Sequence, residues 1–335
     1  MTDRVAVLGA GSWGTTLANL LAKKGYPVTL WAYEPEVAAA ISTSHENPAY
    51  LPGIALDPRL RATADLAASV AGADVVVSVS PSQHVRRVLG AAAPHLAGGV
   101  LLVSASKGIE TSSLKTMAEV IRDVAPHLAG GACHLSGPSF ALEVAQEQPT
   151  AVTVASEDAA AALRAQEMFQ TEYFRVYTTG DVRGVELGGA LKNVIALAAG
   201  MVAGLGFGHN TMAALITRGL AEISRLGVSL GASPLTFAGL AGMGDLILTC
   251  TGGLSRNRRV GMLLGQGRKL DEILAEMTMV AEGVETARAA YALAARVGVE
   301  MPILAEVHAV LFEGRHPREA VDNLMMREPK AELWQ

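Results

Sequence analysis

Three groups of residues in this chain have the types and spacing that chemistry requires. The first is Gly9-Ala10-Gly11-Ser12-Trp13-Gly14, which follows the apolar run Val5-Leu8 and opens a helical stretch at Thr15. In that setting Gly9 permits a tight turn, Gly11 lets backbone approach a pyrophosphate, Gly14 lets helix and strand pack closely, and the helix N-terminus favours an anion. About twenty residues further on, a second apolar run ends at Tyr33-Glu34, where a carboxylate can accept from an adenosine ribose 2′-OH and repel a 2′-phosphate. Glu34 therefore favours NAD(H), and no arginine lies in this short stretch to attract NADP(H). The competing reading of Glu34 is a solvated first-turn glutamate before Pro35.

The second group is a pair of lysines in segments otherwise short of charge. Lys107, in Ser104-Ala105-Ser106-Lys107-Gly108, follows a buried-type strand and should emerge at the carboxyl edge of a sheet, where α/β ligands bind. Lys192, in Gly188-Gly189-Ala190-Leu191-Lys192-Asn193-Val194, sits inside an apolar helical segment, where burial would lower its pKa and fit it for acid/base work. A snorkelling lysine is the bland reading of either. The third group is Gly242-Met243-Gly244-Asp245 with Ser255-Arg256-Asn257. It pairs a carboxylate in an apolar, Gly-rich stretch with a helix start whose amides and guanidinium suit a phosphate; an ordinary N-cap with a basic turn is the alternative.

These residues need elements to hold them. The first half alternates short Val/Ile/Leu runs with Ala-rich helical spacing. Strands are predicted at Val5-Leu8, Val28-Trp31, Val75-Val79, Val100-Ser104, His134-Ser136, Ala151-Ala155 and Phe174-Tyr177, and helices at Thr15-Lys24, Pro35-Ser42 and Leu114-Val124. Runs that are apolar without alternation predict parallel strands covered on both faces. The fold class is thus α/β, an N-terminal Rossmann-like doubly wound sheet. From Asp181 the strand signature ends, and helical segments near 184–204, 210–230, 283–297 and 302–313 predict an all-helical C-terminal domain. The turn cluster Thr178-Thr179-Gly180-Asp181 divides a dinucleotide-binding domain, 1–180, from a helical substrate-binding domain, 181–335.

Composition narrows the partners. At 335 residues the chain has room for about two domains. Lys+Arg 27 against Asp+Glu 32 leaves no basic surplus for a phosphate backbone, so nucleic acid is not expected as a partner. Mean hydropathy is +0.31, yet the stretches after Lys192 and from Leu226 to Gly244 are interrupted by Gly, Ser, Asn and Pro, and no integral membrane span is predicted. The N-terminus has no hydrophobic leader pattern, which points to a cytoplasmic protein. Cys133 and Cys250 are far apart in sequence and read as reduced thiols; no metal site is predicted.

Taken together, the motifs resemble one family, the bacterial-type NAD(P)-dependent glycerol-3-phosphate dehydrogenases. The likeness spans nearly the whole chain: GAGSWGTTLA at 9–18, HENPAYLPG at 45–53, SKGIE at 106–110, SGPSFALEV at 136–144, ELGGALKNVIALAAG at 186–200, GLGFGHNTMAALITRGLAEI at 204–223, GMGDLILTCTGGLSRNRRVG at 242–261 and VAEGVETA at 280–287. The resemblance implies reversible reduction of dihydroxyacetone phosphate to sn-glycerol 3-phosphate, for phospholipid synthesis, by hydride from nicotinamide C4. It implies a catalytic set of Lys192, the proton donor, with Lys107 and Asp245. Substrate contacts fall on Lys107, Gly137, Ser139, Lys192, Asp245, Ser255, Arg256 and Asn257. Cofactor contacts fall on Gly9, Gly11, Ser12, Trp13, Gly14, Tyr33, Glu34, Lys107, Ala141, Arg256, Val280 and Glu282. Thr249 and Asn193 join the network more loosely. Where bacterial relatives often carry a basic residue, this chain has Tyr33, so NAD(H) is favoured with NADP(H) as the alternative. The resemblance also favours a homodimer. A hydroxyacid or 6-phosphogluconate-type dehydrogenase leaves the block around Asp245 and Arg256 unexplained, and a sensor of dinucleotide ratio would need only the N-terminal fingerprint.

Overall fold

The structure is a computed structural model that describes residues 2–277, 279–329 and 331–332; the outer bounds of the two expected domains, Met1 and Gln335, lie outside the described residues. Eight strands among the described residues form one sheet: β1 (Val5–Leu8), β2 (Val28–Trp31), β3 (Arg61–Thr63), β4 (Val75–Ser78), β5 (Leu101–Ser104), β6 (Cys133–Ser136), β7 (Thr150–Ala155) and β8 (Phe174–Thr179). Their spatial order is β3-β2-β1-β4-β5-β6-β7-β8, so the chain reverses direction across β1. Val5 of β1 pairs with Val28 on one side and Val75 on the other, both in parallel. Every residue of β1, β4 and β5 is buried, which is why these strands read as unbroken apolar runs.

The structure departs from the sequence reading at several points. β3 was not predicted, because an edge strand of three partly exposed residues carries no apolar pattern. β6 and β7 are antiparallel, with His134 opposite Ala155. The connection between them holds only the five-residue helix Ala141–Ala145, too little for a crossover, so the chain turns back at the same edge of the sheet. The first helix starts at Ser12 rather than Thr15, directly after extended Gly11. The predicted helix from Leu114 begins only at Met117: Leu114 has φ 58°, and Thr116 with Glu119 forms a capping box.

The second half is helical. Its axis is the helix Val182–Gly204, buried without a break from Leu187 to Val202. Asp181 starts it by accepting from the Gly184 N–H at 2.9 Å. The helices His209–Ser229, Asp245–Thr251, Arg256–Gly265, Glu282–Val297 and Pro302–Phe312 pack around it. Burial on all sides explains an apolar sequence with no polar stripe. Lys192, Asn193 and the glycines that interrupt the apolar run do not end the helix, which corrects the expectation of a broken stretch after Lys192. Val182–Gly204 and Pro234–Thr251 are both long and apolar enough to cross a membrane by length and composition, and 89% of the apolar window of Val182–Gly204 is buried inside the protein.

The closest approach is to the helix Arg256–Gly265. A Cβ on Gly200 would lie 2.0 Å from the Arg258 carbonyl oxygen, and one on Gly261 would lie 1.9 Å from that of Leu197. Backbone therefore touches backbone, and the turn carrying Lys192 and Asn193 is held in one register against the turn carrying Ser255 to Asn257. Gly261→Ala has only rigid backbone to meet and is expected to destabilise the protein by about 1–3 kcal/mol. A lowered midpoint in chemical denaturation checks this; an unchanged midpoint would show that the crossing is loose.

Candidate active site

The loop after β1 is built to take an anion. Gly9 has φ 121° and donates to the Trp31 carbonyl at 3.0 Å, while a Cβ on Gly14 would sit 1.8 Å from the Gly9 oxygen. Gly11 is the N-cap of the helix Ser12–Lys23 with no side-chain cap, and nothing lies within 4 Å of where its Cβ would be. Uncapped helix amides facing open space fit a pyrophosphate. Trp13 packs near Phe174, with ring centroids 6.3 Å apart. Thr16 Oγ1 bonds the Ala141 carbonyl at 3.1 Å, which brings Ala141 beside this loop.

A brace that sequence reasoning gave no role comes from the HENPAYLPG segment. Asn47 Nδ2 donates to the Ala10 carbonyl and to Thr15 Oγ1, each at 2.8 Å, and Ser12 Oγ donates to the Tyr50 carbonyl at 2.5 Å. The motif itself was the available signal. Asn47 is fully buried, so its amide is a structural pin under the loop.

The two lysines converge on one carboxylate. Lys192 Nζ donates to Asp245 Oδ1 at 2.5 Å and to Thr249 Oγ1 at 3.0 Å; Lys107 Nζ donates to Asp245 Oδ2 at 2.7 Å and to the Gly137 carbonyl at 3.3 Å. Lys192 is 7% exposed and Asp245 1%. The snorkelling reading of Lys192 thus fails, since its head is the buried part. Three elements meet here: the carboxyl edge of β5, the axial helix, and the helix Asp245–Thr251, which follows a π-helical turn over Leu240–Gly244. Such turns often sit at functional sites.

The electrostatics follow from sharing. Burial lowers the Lys192 ammonium to about 8; Asp245 opposes this, and neighbouring Lys107 adds to it. Burial alone would raise the Asp245 carboxyl, but Lys107 and Lys192 together outweigh it and hold it below its usual value. Two ammonium groups on one carboxylate leave the cluster one positive charge in excess.

Other predicted residues lie around this cluster. Ser139 Oγ donates to the Gly137 carbonyl at 3.0 Å, at the edge where the β6–β7 connection turns back. Ser255 caps the helix Arg256–Gly265 by accepting from the Arg258 N–H at 3.2 Å, so the N-cap reading holds and a helix N-terminus sits beside exposed Arg256. Asn257 is spent internally: its Nδ2 donates to Asn193 Oδ1 and its Oδ1 accepts from the Gly283 N–H, both at 2.9 Å. Glu282 reaches from the helical half to the loop after β4, accepting from the Ser82 N–H at 3.1 Å and from Ser82 Oγ at 2.5 Å. Burial raises its carboxyl above the ordinary range, with the Ser82 bonds opposing. Ser82 had no sequence signal of its own. Beside this clasp opens a cleft of about 430 Å³, lined in part by Pro81, Gln83, His84, Val280 and Glu282.

Tyr33 and Glu34 are not part of the lysine cluster; they lie at the end of β2. Tyr33 is 62% exposed, and Glu34 Oε1 accepts from the Tyr50 hydroxyl at 3.0 Å. Cys133 and Cys250 are both buried and unbonded to each other, and burial pushes their thiols up to about 11 and about 12. Among the described residues no group of three His, Cys, Asp or Glu side chains could hold a metal ion.

With this geometry in place, the likeness to known proteins is direct. A family profile described as NAD-dependent glycerol-3-phosphate dehydrogenase N-terminus matches residues 4–162, and the corresponding C-terminus profile matches residues 181–322. The chain is 62% identical over 333 residues, 99% of each chain, to the glycerol-3-phosphate dehydrogenase (NAD(P)+) of Geobacter metallireducens. It is 60% identical over 335 residues, 100% of each chain, to that of Geobacter sulfurreducens. Among solved structures, glycerol-3-phosphate dehydrogenase from Coxiella burnetii matches with a TM-score of 0.93 and 38% identity, over 97% of this chain and 99% of that one. Two matched halves and full-length identity of this degree place the chain in the NAD-dependent glycerol-3-phosphate dehydrogenase family.

Proposed function

We propose that this protein reversibly reduces dihydroxyacetone phosphate to sn-glycerol 3-phosphate with NADH, NADPH being the alternative, and so supplies the glycerol backbone for phospholipid synthesis. The observation that carries the reading is the buried Asp245 carboxylate with one lysine on each oxygen, at the carboxyl edge of a sheet that also presents the Gly9–Gly14 loop. NADH, when bound, supplies the hydride; the remaining demands fall on the protein. The uncapped amides after Gly11 hold the pyrophosphate, and Ser12, Trp13, Ala141, Val280 and Glu282 line the rest of the dinucleotide site. Arg256 and the free N–H groups of its helix hold the substrate phosphate, with Gly137, Ser139, Ser255 and Asn257 shaping the pocket. That grip turns binding energy into orientation of the carbonyl. Protonated Lys192 meets the developing alkoxide and donates its proton, Lys107 keeps the site positive, and Asp245 aims both ammonium groups. As the proton leaves Lys192, the excess positive charge of the cluster is discharged. We assign the protein to the cytoplasm as a homodimer.

NADH oxidation by the purified protein, followed by absorbance with dihydroxyacetone phosphate and then with unphosphorylated dihydroxyacetone, tests the assignment. Phosphate-dependent turnover is expected, and its absence in protein that binds NADH would overturn the substrate. Lys192→Ala should keep NADH binding and lose roughly 10²–10⁴-fold in kcat; near wild-type turnover would remove Lys192 from its role. The pH dependence has a definite sign. Lys192 is lowered to about 8 and is charged below that value, so kcat for reduction should fall as pH rises through about 8 while kcat for oxidation rises. Asp245→Asn deletes the influence that favours the ammonium, so the midpoint of any residual activity should move to lower pH; a midpoint that stays put would detach it from Lys192.

A further inference from the structure

β1 lies between β2 and β4, so the residues after β2 and those after β4 stand on either side of the Gly-rich loop. After β2 comes exposed Tyr33. After β4 come a short turn, Ser82–His84, and the helix Val85–Ala92, whose first turn carries two adjacent arginines. Neighbouring positions on a helix point in different directions, and these two have different partners. Arg86 turns toward β5 and binds Glu110 and Asp123, each at 2.9 Å. Arg87 reaches the other way, and its guanidinium lies 5.4 Å from the centre of the Tyr33 ring. It is exposed and makes no ion pair among the described residues.

Glu34, the carboxylate that would repel a 2′-phosphate, is held by the Tyr50 hydroxyl, and the Tyr50 carbonyl in turn holds Ser12 of the Gly-rich loop. The adenosine end therefore has a tethered acid and an uncommitted cation resting on an aromatic face. We infer that Arg87 is the specificity-determining residue that admits a 2′-phosphorylated dinucleotide to this site. Arginine presents forked donors that match phosphate geometry and can pair with an anion while it rests on an aromatic ring. NADH has a neutral hydroxyl where the phosphorylated cofactor has a 2′-phosphate, so the charge-assisted pairing with Arg87 is open to the phosphorylated cofactor alone. The inference rests on the reading of the Gly9–Gly14 loop as a dinucleotide site.

Calorimetric titration of wild type and Arg87→Ala with NADH, NADPH, ADP-ribose and 2′-phospho-ADP-ribose tests it without turnover. The variant should bind NADPH and 2′-phospho-ADP-ribose about tenfold or more weakly, as for a lost charge-assisted contact. NADH and ADP-ribose should stay within about twofold, which also reports that the variant is folded. Wild-type binding of the phosphorylated ligands should weaken with added salt more steeply than that of NADH and ADP-ribose, and that extra salt dependence should vanish in the variant. Equal losses for both ligand classes, or an unchanged NADPH affinity, would overturn the role of Arg87 and leave the dinucleotide site standing. Failure of the wild type to bind any of the four ligands would overturn the site itself, and Arg87 with it.

Discussion

Everything chemical in this molecule hangs on one carboxylate. Asp245 is almost fully buried and gives one oxygen to Lys192 and the other to Lys107. Taking three charges out of water is costly, and the cost is met only if the pairing geometry is good and the remaining hydrogens find acceptors. Here a second hydrogen of each ammonium does: Thr249 takes one from Lys192, and the Gly137 carbonyl takes one from Lys107. Because the acid is shared, neither lysine is fully neutralised, and the cluster keeps a positive charge in excess. A private carboxylate for each lysine would have left no such surplus. One of the two cations comes from a sheet edge and the other from a helix, so the same ion cluster ties the two halves of the chain together.

Holding that geometry calls for precise backbone placement, and the composition of the chain shows how it is reached. Aromatic residues are 4% of the sequence while there are 35 glycines. Where large side chains would separate two helices, Gly200 and Gly261 let the axial helix and the Arg256–Gly265 helix touch through their backbones. Contact of this kind has little slack, since interiors are close-packed and backbone does not yield as a flexible side chain does. Asn257 then locks the register by bonding both Asn193 and Gly283. The start of the Arg256–Gly265 helix is thus fixed relative to Lys192 by packing first and by polar bonds second.

The boundary between the halves is also where the dinucleotide half meets residues from far along the chain. Ser82 is clasped by Glu282, and Ser12 Oγ lies 3.4 Å from Met279 Sδ. The segment around Val280 therefore borders the Gly-rich loop, although more than 260 residues separate them in sequence. Opposite roles for adjacent arginines make the same point at the other end of the loop. Arg86 is committed to a structural network, whereas Arg87 rests on Tyr33.

The sequence by itself determined the α/β class and the helical second half, and it singled out the Gly-rich loop after the first strand and the two isolated lysines. Those features are written in local terms: apolar runs of strand length, a glycine pattern between strand and helix, and isolated charges in apolar segments. It also offered an N-cap as one of two readings of Ser255, and the structure bears that reading out, because a cap depends on its own side chain and the next turn. Only the tertiary structure decided that Lys107 and Lys192 share a single acid, that β7 runs against β6, and that Leu114 to Thr116 precede their helix. It alone placed an arginine over Tyr33, on a stretch that has none in its own sequence. Each of these depends on groups distant in the chain being brought within a few ångströms. The shared acid adds the burial that sets the strength of its charges, and no local pattern encodes either quantity.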